Sequence, residues 1–153
     1  MARPPALGRA LVAECVGTYL LVLFGTGSVA ASVLTGAQVG LWQVAVVWGF
    51  GVTLAIYATA AVSGAHLNPA VSLAFALRRP RAFPRARLLP YWSAQLAGAV
   101  LAGVTVAAAF WPFLLRFEAA APGAVPSCPR GRGTVLTTRT GGDAVVLCGR
   151  GVR

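Results

Sequence analysis

The sequence predicts an all-α membrane protein: three transmembrane helices plus one re-entrant half-helix, followed by an irregular C-terminal tail. Three observations predict it. No charged residue occurs between Glu14 and Arg78, nor between Arg87 and Arg116. Three apolar runs are each long enough to cross a hydrocarbon core, which takes about 20 residues. A fourth apolar run, opening on Asn68-Pro69, is too short to cross and yet is flanked by runs that do.

Composition sets the bounds. Of 153 residues, 58% are hydrophobic and 10% charged, a balance foreign to a soluble domain of this size. The net charge of +10 comes from thirteen Arg and no Lys, opposed by Glu14, Glu118 and Asp143 alone. The arginines fall outside the apolar runs, so they read as loop charge that sets topology and not as a nucleic-acid surface. Three acids and one His supply no paired carboxylates, metal cluster or activated nucleophile, so the chain is not expected to be an enzyme or to hold a cofactor. Cys128 and Cys148 could pair only in an oxidising compartment. The apolar run after Arg9 is too long for a cleavable signal.

The first span runs from about Leu11 to Leu34, with small surfaces at Gly17, Gly25 and Gly27 for close helix packing. Glu14 is its exception. Two readings stand: the side chain snorkels to the interface, or it faces inward and accepts hydrogen bonds from irregular backbone around the half-helix. The second span, about Leu41 to Val62, carries Trp42, Trp48 and Tyr57.

Next comes Ser63-Gly64-Ala65-His66-Leu67-Asn68-Pro69-Ala70. Asn is a good N-cap, and Pro at the first helical position gives up only an N–H that would be unpaired anyway. The helix it starts, residues 68–78, is about 15 Å long at 1.5 Å per residue, half the hydrocarbon thickness. Such an end must be buried in protein or line a wet cavity. Arg78, Arg79, Arg81, Arg85 and Arg87 follow, and then the third span, about Leu88 to Phe110, with Gln95 inside it and Trp111-Pro112 at its end. Gln95 reads as a helix-packing residue.

Arg3 and Arg9 precede the first span, five Arg follow the second, and the turn between has none. The chain is therefore expected to be a multi-pass protein of the cell (plasma) membrane with its N-terminus in the cytoplasm, the half-helix dipping in from that side. Residues 1–116 form the membrane unit. Residues 117–153 are rich in Gly, Pro and Arg, contain no further span and are expected to be poorly ordered.

The string SGAHLNPAVSLA, with AECVGTYLLVLFG ahead of it and spans on either side, resembles the first repeat of the aquaporin and glycerol-facilitator family (major intrinsic proteins) over about residues 7–118. The resemblance implies a passive channel for glycerol, small neutral polyols or water, set in the lipid bilayer and assembled as tetramers. It implies that Asn68 offers its amide to the passing solute and that the carbonyls of Gly64, Ala65 and His66 form an acceptor ladder. Pro69 and Ala70 would pack against the matching motif of a second repeat, and Glu14 would hold the irregular loop in shape. Trp48 falls where the family has one side chain of its outer constriction; the alternative is an ordinary packing aromatic.

The departure from the family is as plain as the match. The family pore needs two inverted repeats meeting at the midplane, and this sequence has one Asn-Pro-Ala and no arginine following a second. The arginines orient every copy alike, which opposes an antiparallel homodimer. Two readings follow: half of a channel acting with a second aquaporin-like half or other subunits, or a non-conducting fragment that at most associates with intact channels. The tail, starting where a fourth span would, reads as a truncated or frame-shifted product.

Overall fold

The computed structural model describes residues 6–37, 40–120, 135–140 and 143–148. Helix α1 spans Leu7–Ala30 and continues through a π-helical turn, Ala31–Thr35, that ends on Gly36 in the left-handed conformation at φ 65°. Helix α2 spans Leu41–Ser63, α3 spans Pro69–Arg78, and a 3₁₀ turn at Arg85–Arg87 leads into α4, Leu88–Ala120. Three of these elements are long and apolar enough to cross a membrane: Leu7–Thr35, Leu41–Ser63 and Arg85–Ala119. The expected architecture of three spans and one half-helix is present.

Two boundaries differ from the sequence expectation. Helix α1 starts at Leu7, four residues before Leu11, because nothing in Leu7–Ala10 breaks it. Helix α4 does not stop at Phe110 but passes through Pro112 to Ala120. Proline there removes one backbone bond and is a strong stop signal in water. Membrane helices tolerate it where neighbouring groups or local adjustment of the helix re-satisfy the freed carbonyl. The tail, expected to be irregular, contains a short antiparallel pair, β1 (Val135–Thr140) and β2 (Asp143–Cys148), in register from Val135 opposite Cys148 to Thr140 opposite Asp143. Both segments are rich in Val, Leu and Thr, residues that suit a pleated ribbon. The remainder of the tail, with Cys128, lies outside the described residues. The chain divides into two compact units, Met1–Trp111 and Pro112–Arg153. The first contains the half-helix and the loop that precedes it.

The polarity of this first unit is reversed relative to a protein in water. Fully buried side chains include Glu14, Ser72 and Gln95, while Phe50 is 73% exposed and Leu96 66%. Lipid tails are as apolar as these surfaces, so helix association here rests on close packing and internal hydrogen bonds. Close packing is visible at Gly98. A side chain at that position would run into the backbone carbonyl of Cys15, so the absence of one lets α4 lie directly on α1. At one end of the unit Ala10, Ala76, Phe83 and Tyr91 form a small core, joined by Leu11 and Leu88. The start of α1, the end of α3 and the start of α4 therefore lie at the same end.

Replacing Gly98 with Val should force α1 and α4 apart and lower stability by about 2–3 kcal/mol, the usual penalty for overpacking a tight contact. Circular dichroism through a graded sodium dodecyl sulfate titration in mixed micelles would register it as an earlier loss of helix.

Candidate functional site

The site is built where α2 fails to continue. Its last residues give way at Gly64, in the left-handed region at φ 88°, whose N–H still reaches Ala60 O at 3.0 Å. Ala65 and Leu67 also have positive φ, both 49°. Such conformations cost a non-glycine residue about 1 kcal/mol or more each, and they persist only where neighbours enforce them.

Glu14 enforces them. Its carboxylate, fully buried in α1, accepts from the backbone N–H of His66 through Oε1 at 2.9 Å and from that of Leu67 through Oε2 at 2.7 Å. Gln95 Nε2 on α4 donates to Oε2 at 2.8 Å and also to Ser72 Oγ on α3 at 3.0 Å. Helices α1, α3 and α4 and the loop thus share one polar cluster inside an apolar protein. Of the two readings of Glu14, the inward one is what the structure contains. Gln95 ties helices together, with its Oε1 buried and lacking a partner among the described residues.

The direction of those N–H groups fixes the direction of the carbonyls. No described peptide bond is cis, and in a trans peptide the C=O points opposite to the N–H of the next residue. With the N–H groups of His66 and Leu67 aimed at Glu14, the carbonyls of Ala65 and His66 face away from it. Ala65 N–H donates to Ser63 Oγ at 3.1 Å, which turns the carbonyl of Gly64 away from that hydroxyl in the same manner.

Asn68 then caps α3 with φ −150° and ψ 130°, its Oδ1 accepting from Ala70 N–H at 2.8 Å, and Pro69 occupies the first helical position. Because Oδ1 is committed to the cap, the two donors of Nδ2 are left at an exposed position. Pro69 and Ala70 are exposed beside it. The imidazole of His66 is buried, stacked on Phe75 at 4.6 Å and edge-on to Phe83 at 4.7 Å, with Nδ1 3.2 Å from Ser72 Oγ. Trp48 is half-buried, and its indole lies against Gly25 of α1 so closely that any side chain there would collide with the ring. One face of Trp48 is therefore a packing surface.

Three residues of the cluster carry no signal that a sequence reading picks out. Ser72 reads as one more small residue on α3. Tyr91 and Trp92 read as interfacial aromatics, yet Tyr91 Oη donates to Ser63 O at 3.1 Å and Trp92 Nε1 to Pro69 O at 3.0 Å. Both bonds fasten α4 to the two ends of the loop. The spacing to Gln95 is the one available clue: Tyr91 and Trp92 lie four and three residues before it, on the same face of α4.

Known proteins match this chain over the same region. The family profile described as Major intrinsic protein matches residues 1–133. The glycerol uptake facilitator protein of Pseudomonas aeruginosa is 47% identical over 116 residues, covering 76% of this chain and 41% of the relative. That of Escherichia coli K12 is 42% identical over 118 residues, with 77% and 41% covered. The propanediol uptake facilitator of Citrobacter freundii is 48% identical over 88 residues, covering 58% of this chain and 32% of the relative. The structure of the aquaglyceroporin from Plasmodium falciparum superimposes with a TM-score of 0.63 at 28% identity, over 80% of this chain and 48% of that one. The chain spans less than half the length of the relatives it matches.

Glu14→Gln would replace an acceptor by an NH₂ facing other donors. It should lower the unfolding free energy by about 3 kcal/mol, since bonds to a charged acceptor contribute roughly 1.5–3 kcal/mol each. Tyr91→Phe removes one neutral bond and should cost about 1 kcal/mol. The two midpoints in a detergent unfolding titration give the order; equal midpoints would deny Glu14 its special weight.

Proposed function

The chain belongs to the major intrinsic protein family, a family of membrane channels, and from that membership we propose that it forms one half of a passive channel for glycerol, small neutral polyols or water. The observation that carries this reading is the set of backbone carbonyls of Gly64, Ala65 and His66, turned outward because Glu14 and Ser63 hold the adjoining N–H groups. Beside them stands Asn68, with its amide donors exposed at the positive end of α3. A row of acceptors followed by a donor matches a hydroxyl-bearing solute, which needs both as it sheds water.

The electrostatics fit a neutral solute. A helix N-terminus carries about half a positive elementary charge. With α3 only 10 residues long, that charge sits about 15 Å inside the membrane, where it opposes protons and metal cations. Neutral hydroxyls meet no such barrier. The indole of Trp48, packed on Gly25 along one side, offers its other side as apolar surface for a carbon backbone. His66 contributes its carbonyl and keeps its ring in the core.

A complete pore needs a second half of opposite topology to meet Asn68, Pro69 and Ala70, which are exposed here. Glycerol and propanediol are named for the relatives that are twice as long, and short polyols are the solutes we assign to the assembled channel. We place the N-terminus in the cytoplasm of the plasma membrane because the arginines gather at that end, and we expect such subunits to associate as tetramers.

Stopped-flow light scattering tests this reading on proteoliposomes that hold the full chain together with the second-repeat half of a glycerol uptake facilitator, comparing a glycerol gradient with a sucrose gradient. Expected is glycerol influx at least about tenfold above empty liposomes, removed by Asn68→Asp. Influx equal to empty liposomes, with both halves helical and inserted, would overturn the reading and leave a non-conducting family member.

A further inference from the structure

A cavity of about 260 Å³ lies at the basic end of the unit, between the last turn of α2, α3 and the start of α4. Phe75 and Phe83 wall it, and Arg87 is the one charged residue in its lining. The guanidinium stands beside the Tyr91 hydroxyl. That hydroxyl gives its proton to Ser63 O at 3.1 Å, so toward Arg87 it can only accept. A guanidinium has five N–H donors, and no further partner of this one is found among the described residues.

His66 brings a second donor. Gln95 Nε2 donates to Ser72 Oγ at 3.0 Å, which leaves the Ser72 hydroxyl its own proton, and His66 Nδ1 at 3.2 Å is the acceptor in reach. With Nδ1 accepting, the ring carries its proton on Nε2. Nε2 has no partner among the described residues and lies on the Gly64 side of the ring, 3.8 Å from where a side chain at Gly64 would begin. The ring is buried, yet it reaches the cavity lining. Acceptors face these donors. A helix leaves its last carbonyls without intrahelical partners. Those of Ala61 and Val62, both in the lining, stay open because the N–H groups of Ala65 and His66 turn instead to Ser63 Oγ and Glu14. Charge decides what fits. The C-terminus of α2 is worth about half a negative charge, which leaves Arg87 partly uncompensated. Glu14, the only acid in residues 1–117, is committed to the loop.

We propose that this cavity binds a small hydroxylated organic anion, a hydroxy acid or the phosphate ester of a short polyol, with the oxyanion on Arg87 and His66 Nε2 and the hydroxyls on the carbonyls of Ala61 and Val62. The volume is below the roughly 300–1,000 Å³ of drug-sized sites, which limits the ligand to a few carbons lying on Phe75 and Phe83. The other arginines of this end raise the local concentration of anions. A neutral polyol would leave the guanidinium without a counter-charge. The site does not depend on conduction and is read without a second half.

Nuclear magnetic resonance of the full chain in detergent micelles tests it. The sequence has one His, so ¹⁵N-histidine labelling shows a single imidazole. Without ligand, the proton should be found on Nε2. Glycerate and glycerol 3-phosphate are the anionic probes, with glycerol and inorganic phosphate for comparison. At least one anionic probe should shift the Nε2 signal saturably, and which one does so identifies the oxyanion. Glycerol and inorganic phosphate should bind at least about tenfold more weakly, each lacking one of the two kinds of contact. Arg87→Gln should weaken the anionic probe at least about tenfold, the weight of a charged hydrogen bond, and Arg81→Gln, outside the lining, should change it less than about twofold. If Arg87→Gln fails to fold by circular dichroism, Ala82→Trp at the exposed rim should abolish saturation by filling the cavity. A proton on Nδ1 overturns the proposal, as does the absence of a shift with either anion. Glycerol binding as tightly as the anions would assign the cavity to the neutral solute's path and overturn it. Inorganic phosphate binding as tightly as glycerol 3-phosphate would mean an adventitious ion only. A shift indifferent to Arg87→Gln overturns it as well.

Discussion

The buried carboxylate of Glu14 is the interaction on which the rest of the membrane unit depends. A loop with two non-glycine residues in the left-handed region does not hold itself in place. Its N–H groups have no helix or sheet to join, and lipid offers them nothing. Glu14 supplies an acceptor to His66 and Leu67 and another to Gln95, so one side chain of α1 fixes the loop and docks α4. Burying an anion is costly unless its oxygens are satisfied. Here N–H donors converge on both oxygens and no cation is needed. An arginine partner in that place would compete with the backbone for the carboxylate and release the loop.

The consequences run outward from that cluster. Because the loop is fixed, Asn68 begins α3 where it does, and the positive end of the helix dipole stands beside the exposed Asn68 amide. Because α3 is fixed, Ser72 meets both Gln95 and the imidazole of His66. The ring of His66 is then stacked among Phe75, Phe83 and Tyr91 and contributes to the core. Its backbone carbonyl alone is turned outward. Side chain and main chain of one residue thus serve different parts of the molecule, a division that follows from the position of Glu14.

How much of this is legible in the sequence depends on whether a residue stands out chemically from its surroundings. Asn68-Pro69 reads as a cap in any context, and α3 starts at Pro69. Glu14 is conspicuous as the one acid in a long apolar stretch, and irregular backbone near the half-helix is one of the partners the sequence offers it; which N–H groups, 52 and 53 residues away, leaves no trace in composition. Ser72, Tyr91 and Trp92 are illegible for the same reason, since each acts on a carbonyl or amide brought close by folding. The run of α4 through Pro112 escapes a sequence reading because what re-satisfies the backbone freed by a proline in a membrane helix is not written in the local sequence. Trp48 falls between. The family resemblance implies a solute contact for it, whereas its packing on Gly25 depends on a missing side chain in another helix.

The charge pattern has a physical logic of its own. Helix α3 has Asn68 at its positive end and Arg78 and Arg79 at its negative end, the arrangement in which dipole and side chains agree. Reversing it would place cations beside unsatisfied N–H groups in the middle of the membrane. The direction of α3 therefore dictates which end of the unit is basic, and the basic end dictates which side of the membrane it faces. The basic end and the positive terminus of α3 both repel cations. The same few charges that orient the chain in the bilayer thus also fix where its positive potential lies.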